Sequence, residues 1–274
     1  MPAVEVTRSK APPTTEAIPL VPTLPTAAWK GGSWKTSLAV AIAQRLAYTG
    51  EEVALVSVDR QRDTMDRLGL APGVGTTRLS CGSGALTVAD LDGSKIQSVL
   101  YDDGPSAHGL GSPSMIIVDM PPQKRGGMLP GTFTVVPLVD INAIKNSTTM
   151  LLEAPKNSEL FLIKVGMESL NTITPEDLAT ELKKWRIKVK GMEEALRRDL
   201  HWLTQPIPRS KEIALAHEKG SSIWTLPPDE DVLMFHDAIE TICKVFWQRV
   251  YPNDPLPPMP RLTAKRRTHI PGWP

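Results

Sequence analysis

Lys30-Gly31-Gly32-Ser33-Trp34-Lys35-Thr36-Ser37 is the stretch on which the fold turns. Two glycines, a lysine and a hydroxyl residue lead straight into an apolar helical pattern. Leu38, Ile42 and Leu46 share one face of it, and Gly50 stands just past its end. Glycines let successive backbone N–H groups curl around phosphate oxygens, and a helix N-terminus adds partial positive charge there. The segment departs from the usual Gly-x-x-x-x-Gly-Lys-Ser/Thr phosphate loop but keeps its working parts. Lys35 is placed to reach the β- and γ-phosphates of a nucleotide, and the Thr36 hydroxyl to ligate magnesium. The plain alternative is a surface turn holding Gly-Gly between two lysines; the helix and strand context favours phosphate.

Working outward, residues 36–48 read as a helix and 53–58 as a short, continuously apolar strand that runs into Asp59. Residues 63–68 suit a helical turn, and the Gly/Ser/Thr-rich stretch 71–84 reads as loop. A second buried strand, 115–118, ends on Asp119 and is stopped by Pro121-Pro122. Strands are expected at 132–137 and 160–165, with helices at 141–152, 175–185 and 229–250. In the last of these Val232, Phe235, Ile239, Ile242 and Phe246 recur at helical spacing. Short apolar strands alternating with helices predict a mostly parallel twisted α/β sheet with helices on both faces. Ligands in such folds bind beyond the carboxyl ends of the strands, where the loop, Asp59 and Asp119 all fall. A strand-tip Asp119 suits magnesium, directly or through water, against the alternative of capping the turn before the two prolines. Asp59 suits the orientation of an attacking water, against the alternative of an exposed turn carboxylate.

Composition sets the limits. The chain has 274 residues, is 41% hydrophobic and only 5% aromatic, so its core is expected to be aliphatic. A net charge of +1 argues against a uniformly basic nucleic-acid binder but leaves room for a local basic patch. Cys81 and Cys243 lack the spacing of a disulfide framework or zinc site, which suits a reduced, cytoplasmic chain. No apolar run approaches the ~20 residues of a membrane span, and the N-terminus does not pattern as a secretory signal. Prolines crowd both ends, so 1–25 and 252–274 are expected as flexible or extended tails around a P-loop domain at 26–251.

The ordered motifs resemble the ParA/MinD superfamily of deviant Walker A ATPases. Lys30-Gly-Gly-x-x-Lys35-Thr36 looks like its deviant Walker A box, whose first lysine sets it apart from other P-loops. The strand ending Ser57-Val-Asp59-Arg-Gln61 is similar to the family's Asp-x-Asp-Pro-Gln strand, and Asp119-Met-Pro121-Pro122 to its Asp-x-Pro-Pro box. Gln205-Pro-Ile-Pro-Arg209-Ser with Ala216-His-Glu-Lys-Gly220 resembles the family's late Ile-Pro-Arg segment. The resemblance implies ATP and Mg2+ as ligands, a homodimer closed by ATP, and Lys30 reaching the partner's phosphates to stabilise transition-state charge. It also implies nonspecific DNA binding and slow hydrolysis stimulated by a partner protein, a ParB-like adaptor or a transfer protein. Three departures stand out. Trp34 replaces the usual glycine at a position that often wants positive φ. Ser57 replaces the first Asp of Asp-x-Asp, leaving Asp59 to serve the water. The interval from Asp59 to Asp119 is short.

Lys183, Lys184, Arg186, Lys188, Lys190, Arg197 and Arg198 form a basic run that suits DNA phosphates, with a solvated helix face as the alternative. Prolines between 252 and 274 forbid an amphipathic membrane helix, so no membrane role is expected. The expected activity is therefore a ParA-like ATPase that partitions or positions DNA. Alternatives are an accessory ATPase of conjugative transfer and a nucleotide-dependent interaction module with negligible turnover.

Overall fold

The computed structural model describes residues 17–28, 34–58, 63–70, 75–122, 128–139, 154–155, 157–166, 200–208 and 210–260. Eight strands form one sheet in the order β3-β4-β2-β5-β1-β6-β7-β8. They are β1 (Thr23–Thr26), β2 (Glu52–Ser57), β3 (Thr76–Cys81), β4 (Gly84–Asp90), β5 (Met115–Asp119), β6 (Phe133–Leu138), β7 (Glu159–Val165) and β8 (Leu200–Ile207). All neighbours run parallel except β3, which pairs antiparallel with β4 at one edge. The described α-helices are α1 (Lys35–Ala47), α2 (Asp63–Arg67), α3 (Lys211–Glu218) and α4 (Glu230–Val250). The mostly parallel α/β sheet of the P-loop class is thus observed.

Strand parity divides the core. Val53 and Leu55 of β2 and Met115 and Ile117 of β5 join α1 and α4 in one apolar cluster. Ala54 and Val56 with Ile116 and Val118 face the other way, against Ile96, Val99, Leu100 and Leu110 from the β4–β5 connection. Period-two alternation on a sheet apolar on both faces produces this split directly.

Three elements differ from the sequence reading. The N-terminal tail expected over 1–25 contains β1, which occupies the middle of the sheet between β5 and β6. Pro25 hides it, because a proline argues against a central strand. The cost is confined to one side: Ala27 N–H, two residues on, donates to Val135 of β6, so Pro25 removes an N–H pointing the same way. Pairing with β6 accordingly reduces to Thr26↔Val135, while pairing with β5 runs unbroken from Thr23↔Ile116 to Thr26↔Asp119. The loop expected over 71–84 is largely β3 and the hairpin into β4. The third is β8, which takes in Leu200–Ile207, where only an Ile-Pro-Arg segment was anticipated.

Residues 252–260 carry no regular structure, as their prolines dictate, but they are strapped to the fold. Trp247 Nε1 donates to the Asp254 carbonyl at 3.0 Å and Arg45 Nη2 to the Pro257 carbonyl at 2.7 Å. Leu256 and Met259 pack against the first cluster. Expected helices at 141–152 and 175–185 lie outside the described residues. Among the described residues no helix is long and apolar enough to cross a membrane.

Candidate nucleotide site

The carboxyl edge of the sheet carries one row of side chains. Thr26 of β1, Asp119 of β5, Ser57 of β2 and Asp90 of β4 are register partners in turn. At about 4.8 Å per strand, Asp119 lies one spacing from β1 and Asp90 about 14 Å away. Asp119 is therefore the described carboxylate on the strand next to β1. Ser57, where the resemblance implies an aspartate, is buried, and its hydroxyl makes no hydrogen bond among the described residues.

The chain leaves β1 through Ala27 and Ala28, both buried, and re-enters at Trp34 to begin α1. Residues 29–33, which include Lys30, Gly31, Gly32 and Ser33, lie outside the described residues. Trp34 adopts φ 66° and ψ 11°, the left-handed region, and is the one non-glycine residue to do so among those described. That conformation costs about 1–2 kcal/mol for a residue with a Cβ. Trp34 keeps positive φ and lays its indole against Phe235 of α4 in the same chain, ring centroids 6.2 Å apart.

Trp34 accepts the first intrahelical bond of α1, from Leu38 N–H at 2.9 Å, yet supplies no side-chain cap, and the first turn has no acidic residue. The amides of Lys35, Thr36 and Ser37 precede that bond, so this helix end offers donors and positive partial charge without a carboxylate to quench them. Lys35, Thr36 and Ser37 are all buried, as is every residue of α1. A buried ammonium is costly unless an anion accompanies it.

Asp119 is fully buried at the tip of β5, and Thr64 of α2, equally buried, donates its hydroxyl to Asp119 Oδ2 at 2.7 Å. Nothing in the sequence singled out Thr64; its one signal was a hydroxyl in the first turn of the helical stretch that follows Asp59. Asp59 itself, with residues 60–62, lies outside the described residues. So does the basic run Lys183, Lys184, Arg186, Lys188, Lys190, Arg197 and Arg198. The structure thus places Trp34, Lys35, Thr36 and Ser37 at the head of α1 and Asp119 on the strand adjoining β1.

At the far end of α2, Arg67 Nη1 approaches His217 Nδ1 of α3 at 3.1 Å. A guanidinium only donates, so Nδ1 accepts and the imidazole is neutral with its proton on Nε2. Burial, followed by the Arg67 charge, pushes the His217 pKa down to about 3. This histidine is a buried structural group where α2 meets α3.

No protein-family model matches the chain, and no curated protein matches it. Solved structures do. A chain of the MinC:MinD cell division protein complex of Aquifex aeolicus aligns with a TM-score of 0.56 at 16% identity, covering 89% of this chain and 100% of that one. MinD of Pyrococcus horikoshii OT3, complexed with Mg-ADP, aligns at 0.54 and 13% identity, covering 82% and 97%. A candidate plasmid partition protein of Borrelia burgdorferi B31, bound to AMPPNP, aligns at 0.51 and 12% identity, covering 84% and 99%. The chain shares its fold with these MinD and partition proteins over almost their whole length.

Proposed function

We propose that this chain is a ParA-like ATPase that closes into a homodimer on ATP, binds DNA without sequence preference and partitions or positions it. The observation that carries the reading is the entry to α1. The segment whose sequence holds Gly31-Gly32 joins the central strand to a left-handed Trp34 and an uncapped helix end that buries Lys35 and Thr36. The strand beside it ends on a buried Asp119. A fold shared with Mg-ADP-bound and AMPPNP-bound proteins supports it.

In this reading the loop amides and Lys35 hold the β- and γ-phosphates. Thr36 and Asp119 offer hydroxyl and carboxylate oxygens, the donors a hard cation takes, and Thr64 already orients one Asp119 oxygen. Magnesium bound with the nucleotide would neutralise charge on the phosphate oxygens. Asp59 orients the attacking water, and Lys30 reaches across the dimer to the partner's phosphates. The basic run from Lys183 to Arg198 grips DNA phosphates, and a ParB-like adaptor or transfer protein stimulates release. The site of action is the cytoplasm, on DNA.

ATP-dependent dimerisation and DNA retention across a salt series test this reading. Both are expected in the wild type and lost in Lys35→Ala; a Lys35→Ala chain that keeps both under ATP ends the switch mechanism. One observation favours a second reading, an interaction module that binds ATP with negligible turnover. Ser57 puts no carboxylate at its place in the strand-edge row, so water activation falls to Asp59 alone. ATP turnover measured with and without DNA separates the two.

A further inference from the structure

Helix α4 grips α1 at both ends. Near the far end of α1, Arg45 is buried in a bidentate pair with Glu240. At the near end Phe235, fully buried on the same α4, holds the indole of Trp34 at an interplanar angle of 49°. Trp34 is the residue whose left-handed backbone turns the chain into α1 immediately before Lys35. A strained conformation persists only where its surroundings over-determine it. A glycine would hold φ 66° unaided, whereas a tryptophan needs its ring fixed. Trp34 is half-buried and has a ring contact with Phe235, which is itself locked among core residues.

We propose that Phe235 is a positioning residue for the phosphate loop, fixing Trp34 in the left-handed conformation and so aiming the amides and side chains of Lys35 and Thr36. The proposal rests on the phosphate-binding reading above and makes α4 part of the nucleotide site without touching nucleotide. A residue that only fills the core changes stability alike whatever occupies position 34; a residue that acts through Trp34 does not.

The test is a double-mutant cycle read by affinity for Mg-AMPPNP. Phe235→Leu keeps an apolar side chain in the core and removes the ring. It is expected to weaken binding five- to tenfold with Trp34 present and less than twofold in a Trp34→Gly background. Equal weakening in both backgrounds, or none in either, overturns the proposal. Hydrogen exchange at the Lys35–Ser37 amides, measured without nucleotide, supplies a second readout. Exchange is expected to quicken in Phe235→Leu and to be insensitive to residue 235 once position 34 is glycine. A wild type that binds no AMPPNP yet shows that exchange pattern upholds the ring contact and sinks the phosphate reading. Exchange that ignores Phe235 in the Trp34 chain sinks the contact itself.

Discussion

Single residues decide how Asp119 and His217 behave. Thr64 and Asp119 are both fully buried and joined at 2.7 Å, so removing the hydroxyl withdraws a donor from a carboxyl oxygen that water cannot reach. Thr64→Val keeps the shape and is expected to cost about 1–3 kcal/mol of unfolding free energy, measured by urea denaturation. If Asp119 serves magnesium, the same variant weakens Mg-AMPPNP binding more than it weakens metal-free AMPPNP binding. An equal loss would make Thr64 a purely structural partner. His217 titrates the other way from most surface histidines. Its folded pKa, pushed down to about 3 by burial and then by Arg67, lies below the unfolded value of roughly 6.5. The unfolded chain therefore binds more protons in that interval. The contribution of neutral His217 is complete above pH 6.5 and is lost as pH falls from there towards 3. Stability against pH is expected to fall less steeply through this window in His217→Gln than in the wild type. Parallel acid limbs would show that His217 escapes Arg67 before it charges.

At the scale of elements, what was legible in the sequence was whatever has a strong period or a strong end signal. Strands β2 and β5 each carry four apolar residues in a row, β6 and β7 are mostly apolar, and α1 and α4 show helical spacing with Gly50 and Asp229 at their limits. Asp229 caps α4 by accepting from Val232 N–H at 2.8 Å. The misses share a cause: local composition outvoted pairing that only the sheet supplies. Pro25 concealed a central strand because proline argues against one; the sheet accepts it because the lost N–H faces β6 alone, where a single register pair remains. Gly, Ser and Thr concealed β3 and its turn, since an edge strand with alternating exposure has little apolar signal. At the candidate site, the helix start at Lys35 and the strand end at Asp119 were readable from spacing, whereas Thr64 and Phe235 meet Asp119 and Trp34 only through tertiary contact. The β3–β4 hairpin has a reason for its glycines. A Cβ on Gly84 would stand 2.2 Å from the Ala47 carbonyl oxygen and 2.5 Å from that of Glu51. Both are backbone atoms at the end of α1 and the start of β2, with no side chain to swing away. Gly84→Ala is therefore expected to destabilise by about 3 kcal/mol or more, at the upper end of overpacking costs. Gly93→Ala, with nothing within 4 Å, should stay within about 0.5 kcal/mol. Comparable denaturation midpoints for the two would mean that β4 can slide off α1.

Across the whole molecule, one polar knot joins the centre of the fold to its C-terminal strap. Arg45 is 1% exposed on α1, pairs with Glu240 of α4, and donates its other Nη2 bond to the Pro257 carbonyl. The guanidinium is thus shared among three parts of the chain far apart in sequence. Breaking such a buried pair from one side is strongly destabilising, by roughly 3–5 kcal/mol, because the remaining charge stays desolvated. The strap adds the Asp254 carbonyl on Trp247 and the apolar contacts of Leu256 and Met259. A chain ending at Pro260 retains every one of these contacts; a chain ending at Tyr251 loses them all. The shorter chain leaves a buried donor of Arg45 without its carbonyl, at about 1–3 kcal/mol, before any lost apolar contact is added. Unfolding midpoints should therefore fall by several degrees between the 260-residue and 251-residue chains, at roughly 2–4 °C per kcal/mol for a domain of this size. The strap meets α1 at Arg45, eleven positions along the helix from Trp34, so it braces the helix rather than the loop. Affinity for Mg-AMPPNP, measured well below both midpoints, should then differ by less than threefold between the two chains. A larger loss of affinity would place the strap in the nucleotide site and require that α1 transmit its displacement from Arg45 to Lys35.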